Sequence, residues 1–330
     1  MAASAYMRFG DADQYAGAVR AANARVMAAS HGDTRAALMR ADLRSVWLQS
    51  GEEAFARTAH IANAPDRAIM TFAQADNTRM HWRGQAMPPG TLMAMGLGHE
   101  GYQRTEGPTH WASLSLPPEG LAELGVGAEL GALTSNRLWR PAPGAMRRLQ
   151  ALHRQVETLA RETPWVLEAA EPVQALEQAL LVALADCLAT GAAQEETAPQ
   201  RLGGAIIARL DALLEAAPGR PLYLPQVCAA VGVSRRTLHN YCREHLGTSP
   251  ERYLRQRRLY MARRRLLDAA PAVGAVTRIA TAVGFFELGR FAVVYRDVFG
   301  ESPSATLRRE ADDRLAPAGR RIGAGVAALV

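Results

Sequence analysis

Several kinds of chemistry are excluded by what this chain lacks. No GxSxG, P-loop or GxGxxG pattern occurs, and MGLGHEG between Met95 and Gly101 is rich in turn residues without a helix behind it. The three cysteines, Cys187, Cys228 and Cys242, lie far apart with no CxxC spacing, so they read as small buried hydrophobes. His60, His81, His99 and His110 are scattered, with no HxH pair followed by glutamate, so no metal site is expected. Together these absences predict no catalytic residues, no required cofactor and no enzymatic activity. No run of about 18 apolar residues appears, which predicts no membrane span. The start, MAASAYMRFGDADQ, puts acids where a secretory signal would be apolar, so a cytoplasmic protein is expected. Lysine is absent altogether, and all 38 basic residues are arginine. That is read as genomic composition and assigned no mechanism.

The positive charge that is present is unevenly placed. At 330 residues the chain is long enough for two domains, each with its own core. Residues 201–310 carry 18 Arg against 9 acids, a net of +9, whereas residues 1–200 carry 17 Arg and 21 acids, a net of −4. The remaining tail adds +1, restoring the total of +6. Such concentration in one domain is the footprint of a phosphate-backbone partner.

That basic region contains one small design twice. The first copy, PQVCAAVGVSRRTLHNYCREHLGTSP from Pro225 to Pro250, begins with a short helix holding Val227, Cys228 and Val231. Gly232 supplies the positive φ of a tight turn, and Ser234 stands where an N-cap belongs. The next helix places Leu238, Tyr241, Cys242 and Leu246 on one face, the spacing of a buried stripe. Its other face offers Arg235, Arg236, His239, Asn240 and Arg243, beside Ser234 and Thr237 at its start, as donors to phosphates and to base edges. The second copy, VTRIATAVGFFELGRFAVVYRDVFGESP from Val276 to Pro303, buries Val276, Ile279, Ala280 and Val283 and turns at Gly284. It then packs through Phe291, Val294, Tyr295 and Val298, and its outward side is Glu287, Leu288, Gly289, Arg290, Val293 and Arg296. Glu287 fits a groove contact or an N-cap. Gly289, a poor helix former, suggests close approach to something large. Between the copies, PERYLRQRRLYMARRRLLDA predicts an amphipathic helix of roughly 18 residues, about 27 Å long.

The residues VSRRTL, the run IATAVGFFELGRFAVVYRDVFGESPS and the arginine-rich helix between them resemble the DNA-binding domain of the AraC/XylS family of bacterial transcription regulators. The resemblance covers about a hundred residues, from Arg201 to Glu310. It implies double-stranded operator DNA as partner and favours activation of transcription through contact with RNA polymerase, with repression left open; binding to paired half-sites makes a homodimer one arrangement open to the chain. Arg236, His239, Asn240 and residues 287–290 would then read bases or grooves, with Arg235, Arg243 and Arg296 on phosphates.

Upstream, Asp11 to Ala22 has helical spacing, and short alternating stretches follow. Strands are expected within Val26 to Phe55 and at Ala68 to Ala73, Met80 to Arg83, Thr91 to Met95 and His110 to Ser115, separated by turn signals such as APD, PPG and EGP. This pattern predicts a jelly-roll or cupin-like β domain, a sensor fold common in regulators of the family resembled. Its aromatics and polar groups, Trp47, Phe72, His81, Trp82, Tyr102 and Trp111, are candidate liners of a pocket for a small-molecule effector of unassigned identity. The fragment from Met80 to Pro117 is loosely similar to the sensor half of regulators of ethanolamine-utilisation operons, which would imply ethanolamine with a cobalamin. Helices follow at Gly144 to Arg161 and Pro172 to Ala189, the latter with Val173, Leu176, Leu180, Leu184 and Cys187 on one side. That helix packs on its own barrel, mediates dimerisation, or does both.

The fold class is therefore α+β: a jelly-roll β domain over 1–142, a helical segment over 143–190, a linker over 191–200, an all-α domain with two helix-turn-helix motifs joined by a long helix over 201–310, and a mobile tail over 311–330. The leading function is a ligand-responsive, sequence-specific transcription regulator. One alternative is a DNA-repair alkyltransferase, since one such family carries similar helices, and it needs a reactive cysteine in an exposed electropositive site. The other is an architectural DNA-bending protein.

Overall fold

A computed structural model describes residues 4–29, 34–75, 78–123, 136–217 and 221–308. The expected tail over 311–330 lies outside the described residues. The chain divides near Ala205 into two compact units.

The first unit is two antiparallel sheets. One has the strand order β1 (Ser4–Phe9), β3 (Ala36–Leu43), β4 (Val46–Glu53), β11 (Thr109–Leu116), β6 (Ala68–Ala73), β9 (Leu92–Met95), β12 (Arg137–Arg140) and β13 (Ala192–Gln194). The other has β2 (Ala22–Ala28), β5 (Arg57–Asn63), β10 (Glu100–Thr105), β7 (Met80–Trp82) and β8 (Gln85–Met87). The pairs β4–β11, β5–β10, β6–β9 and β7–β8 nest one inside another and alternate between the sheets, which is the winding of a jelly roll. A short helix, α1 (Ala12–Ala18), precedes β2, and the Asp11 carboxylate caps it by accepting from the backbone N–H groups of Asp13 and Gln14.

Two cores flank the large sheet. Tyr15, Leu38, Ile69, Trp82, Met93, Met95 and Trp111 fill the space between the sheets. On the opposite face, Leu48, Met70, Phe72, Leu92 and Leu114 pack against helices α3 (Pro143–Glu162) and α4 (Ala170–Thr190). Every residue of β6, AIMTFA, is consequently buried, and a strand covered on both sides has no reason to alternate. A short helix α2 (Pro118–Glu123) follows β11.

Contrary to the expectation from apolar runs, α4 has the length and mean hydropathy, 1.3, of a membrane span. Val173, Leu180, Leu184, Cys187 and Leu188 bury one side of it against the core, and a third of its apolar window is covered in this way. The linker expected over 191–200 is also corrected. Residues 192–194 form β13, paired with β12, and Thr197 to Gln200 open helix α5 (Ala198–Ala216). The Thr197 N–H donates to Gln200 Oε1 at 2.7 Å while the Gln200 N–H reaches Thr197 Oγ1 at 3.5 Å. A polar TAPQ that looks like linker is thus a capping box.

The second unit is all helical: the end of α5, then α6 (Leu224–Val231), α7 (Arg235–Leu246), α8 (Pro250–Asp268), α9 (Ala275–Ala282) and α10 (Leu288–Phe299). Its core around the last three contains Leu259, Ala262, Leu266, Ala280, Val283, Phe291 and Tyr295.

Candidate nucleic-acid interface

The first helix-turn-helix is built as its sequence demands. Gly232 ends α6 at φ 76°, in the left-handed region that glycine tolerates. Ser234 then accepts the Thr237 N–H at 3.1 Å and starts α7. Leu238, Cys242 and Leu246 are buried, and Tyr241 is half-buried. His245 is also buried, a core position that its polarity hid from a hydrophobic-pattern reading. Arg236, His239, Asn240 and Arg243 are exposed, and their spacing puts them in one stripe. Arg235 is exposed too and lies 3.5 Å from Glu251, an open ion pair of small energetic weight. Ser234 and Thr237 spend their hydroxyls on each other at 2.8 Å and on the cap, so their first role is to fix the start of the helix.

The second motif turns at Gly284, φ 88°, where a Cβ would come within 2.5 Å of Pro221 Cβ. Glycine is required there twice over, by conformation and by space. Glu287 occupies the N-cap position of α10 but makes no side-chain capping bond; its carboxylate lies 3.7 Å from Arg290 instead. Leu288, Gly289, Arg290, Val293 and Arg296 are all exposed, whereas Phe291 and Tyr295 are buried. Phe286 and Val293 are 67% and 61% exposed, an apolar presence beside the arginines. A Cβ on Gly289 would meet nothing within 4 Å among the described residues, so nothing there calls for glycine.

Helix α8 holds the motifs apart and uses part of its charge to do so. Of its seven arginines, Arg252, Arg255 and Arg264 are exposed. Arg257 turns to α5, where it lies 3.4 Å from Asp211 and 2.9 Å from Glu215. Arg258 points its Nη1 at the Gly284 carbonyl, 3.5 Å away, and stacks near Phe285; burial lowers its pKa from the ordinary guanidinium value. Arg263 is buried against Glu301 and Phe299. The net charge of the region therefore overstates the charge offered to a partner.

The six candidate effector liners are not brought together. Trp82 and Trp111 lie between the sheets, Phe72 faces the helices and meets His153 edge-on, and Trp47 sits under the Arg67 guanidinium at 3.9 Å. His81 and Tyr102 lie against Glu106 and His60 respectively. Strand alternation separates them, since Trp82 and His81 point to opposite faces. Of the six, only Trp111 borders a partly open cavity between the sheets, a space of about 50 Å³.

That cavity holds polar residues that sequence reading missed. Glu53 accepts from the Arg57 Nε at 2.7 Å, the Tyr15 hydroxyl at 2.7 Å and the Trp111 indole at 2.9 Å. Burial, reinforced by the Glu53 charge, raises the Tyr15 pKa well above its usual value. Arg57 Nη2 donates to Gln103 Oε1 at 2.7 Å, leaving Arg57 Nη1 and Gln103 Nε2 buried without hydrogen-bond partners among the described residues. Glycine at position 51 admits the Tyr15 and Trp111 side chains, because a Cβ there would fall within 2.4 Å of both. The only available signals were the charged residues interrupting the strand patterns at Glu53 and Arg57.

The cysteines are buried, and burial pushes the Cys187 and Cys242 thiols up to about 12. Such thiols are protonated and unreactive at neutral pH.

Residues 227–309 match the family HTH_18, described as a helix-turn-helix domain. The XylDLEGF operon transcriptional activator 1 of Pseudomonas putida is 43% identical over 90 residues, 27% of each chain. A probable thc operon regulatory protein of Rhodococcus erythropolis is 47% identical over 95 residues, 29% of each chain. The match thus spans little more than a quarter of these relatives' length. Among solved structures, that of the AraC-like transcriptional activator CuxR aligns with 78% of this chain and 95% of its own, at 14% identity and a TM-score of 0.44.

Proposed function

We propose, from a carboxy-terminal domain that belongs to the AraC/XylS family, that this chain is a sequence-specific DNA-binding transcription regulator. The carrying observation is the pair of exposed stripes, Arg236/His239/Asn240/Arg243 and Leu288/Gly289/Arg290/Val293/Arg296, on two helices whose opposite faces are buried. The first stripe suits phosphates and the acceptor edges of purines, and the second adds apolar contact for thymine methyl groups. Helix α8 has 19 residues, about 28 Å at 1.5 Å per residue, against about 34 Å between successive major grooves on one face of DNA. A duplex bent toward the protein fits both reading helices best. The relatives named as activators support activation; contact with RNA polymerase and a homodimer are further parts of the proposal. The test is footprinting on DNA upstream of the protein's own coding region. Protection of two adjacent major-groove segments is expected, and failure to retain any promoter fragment at low ionic strength overturns the reading.

Response to a small effector is the second part of the proposal. The Arg57 and Gln103 side chains, whose Nη1 and Nε2 lack hydrogen-bond partners among the described residues, line a cavity together with Glu53, Gln49, Thr71 and Ser113 and with Val26, Ile61, Ile69, Met93 and Met95. Buried donors without partners suit the carbonyl or carboxylate oxygen of a small molecule. A thermal-shift comparison of small carboxylic acids with the matching alcohols tests this; a shift that survives Gln103→Leu unchanged would remove the cavity from consideration.

A further inference from the structure

We propose that Glu52, His110 and Glu157 form a binding site for a divalent transition-metal cation, with zinc as the ion best matched. Glu52 and His110 are partners in the antiparallel register of β4 and β11, so their side chains leave the sheet side by side on the same face. Glu157 comes down onto that face from α3. One ligand atom from each lies within 4.8 Å of the others, and His110 Nε2 is 3.4 Å from Glu157 Oε1. Two donors bound to zinc at its usual 2.0–2.1 Å in a tetrahedron stand about 3.4 Å apart, so this edge is already at the bound spacing.

The second observation concerns the buried carboxylate itself. Glu157 is 3% exposed, and among the described residues its carboxylate has only loose contacts, with His110 Nε2 at 3.4 Å and with the Ser50 side chain, neither of them a hydrogen bond of full geometry. A carboxylate is expensive to bury unless it is paired with charge or coordinates a metal. The Arg161 Nη2 stands 3.7 Å away, beyond hydrogen-bond reach, on a side chain 46% exposed and free to swing outward. Ser50 and His153 also lie near the carboxylate. His153 is not available as a ligand, since its ring nitrogens already meet Gln74 Nε2 and the Ser113 carbonyl.

One imidazole and two carboxylates favour zinc over the all-oxygen sites of magnesium and calcium, and three protein ligands leave a position for water. Access is provided by an open groove of about 840 Å³, which Glu52 and His110 border with Tyr6, Arg8 and Arg35. Cation occupancy would tie α3 to the β4–β11 pair and so stabilise the first unit.

The experiment uses the full chain, stripped with EDTA and desalted, then titrated calorimetrically with zinc chloride or magnesium chloride. One zinc ion per chain is expected, with a raised melting temperature and no comparable response to magnesium. Cobalt(II) in place of zinc should give the visible absorption of a four-coordinate ion. Glu52→Gln and His110→Gln should each weaken zinc binding by at least about tenfold, the loss that even an outer-shell partner's removal brings. Glu157→Gln should do the same if it folds, and the Glu52 variant, at the groove, carries the test if it does not. Absence of stoichiometric zinc binding by the unmodified chain, or undiminished binding by the Glu52→Gln, His110→Gln double variant, overturns the proposal.

Discussion

Arg263 Nη1 lies 3.2 Å from the Glu301 carboxylate, and this pair fastens the long helix α8 to the end of the second helix-turn-helix. The same carboxylate oxygen accepts from the Thr306 hydroxyl at 2.8 Å, and the buried Tyr295 hydroxyl donates to Thr306 at 2.9 Å. The Arg263 side chain is only 2% exposed. Removing its anion leaves a buried charge with less compensation. Glu301→Ala should therefore cost about 3 kcal/mol of stability, read as a lower urea midpoint for the helical unit. Arg263→Met, which removes the charge but keeps much of the volume, should cost less, and the opposite ranking would show that the pair is not what holds the two elements.

Arg236→Ala should relax sequence preference at a cost of about 1–3 kcal/mol on operator DNA. An equal loss on operator and random DNA would count against base reading by this residue.

For Arg296→Ala the expectation is different: weaker binding to all sequences and a salt dependence shallower by about one unit. An unaltered slope takes Arg296 out of the phosphate contacts.

Gly289→Ala should separate stability from binding. A Cβ there meets nothing within 4 Å among the described residues, and alanine is the better helix former by up to about 1 kcal/mol. The variant should melt slightly higher and yet bind operator more weakly, because the added methyl holds the helix off the groove. Unchanged affinity would leave the glycine without a role at the interface.

Acid should loosen the first unit through His153. This imidazole is fully buried, and burial drives its pKa down to about 4 from an ordinary 6.5. The unfolded chain takes up the proton first as pH falls, so stability is complete above about pH 6.5 and declines toward pH 4, where it levels off. The whole window is worth about 3 kcal/mol. Melting curves in EDTA should show this slope, and His153→Gln should flatten it; a slope of the same size in the variant would assign the acid lability elsewhere.

Local features were legible in the sequence wherever one residue type had a single physical use. Ser234 and Gly232 mark a cap and a turn at their observed positions, and helices expected at 144–161 and 172–189 run from Pro143 to Glu162 and from Ala170 to Thr190, whereas the helix expected from Asp11 to Ala22 stops at Ala18. The strands expected at 68–73, 80–83, 91–95 and 110–115 are present within a residue or two at each end. The TAPQ segment misled because Thr, Pro and Gln serve a linker and a helix start equally well. The effector liners misled for a different reason. Aromatic residues mark burial in general, and Phe72 and Trp111 are both buried but in different cores.

The amino-acid order by itself determined the Ser234 cap of the first reading helix, the buried and outward stripes of both and the length of the helix between them, because those depend on neighbours three or four positions away. Only the folded chain decided which arginines of α8 are spent inside, which aromatics share a cavity, and that Glu52, His110 and Glu157 meet. Those relations join residues 26 or more positions apart, through strand register and helix docking. Periodicity tells which side of an element is buried, but only tertiary packing tells what lies opposite.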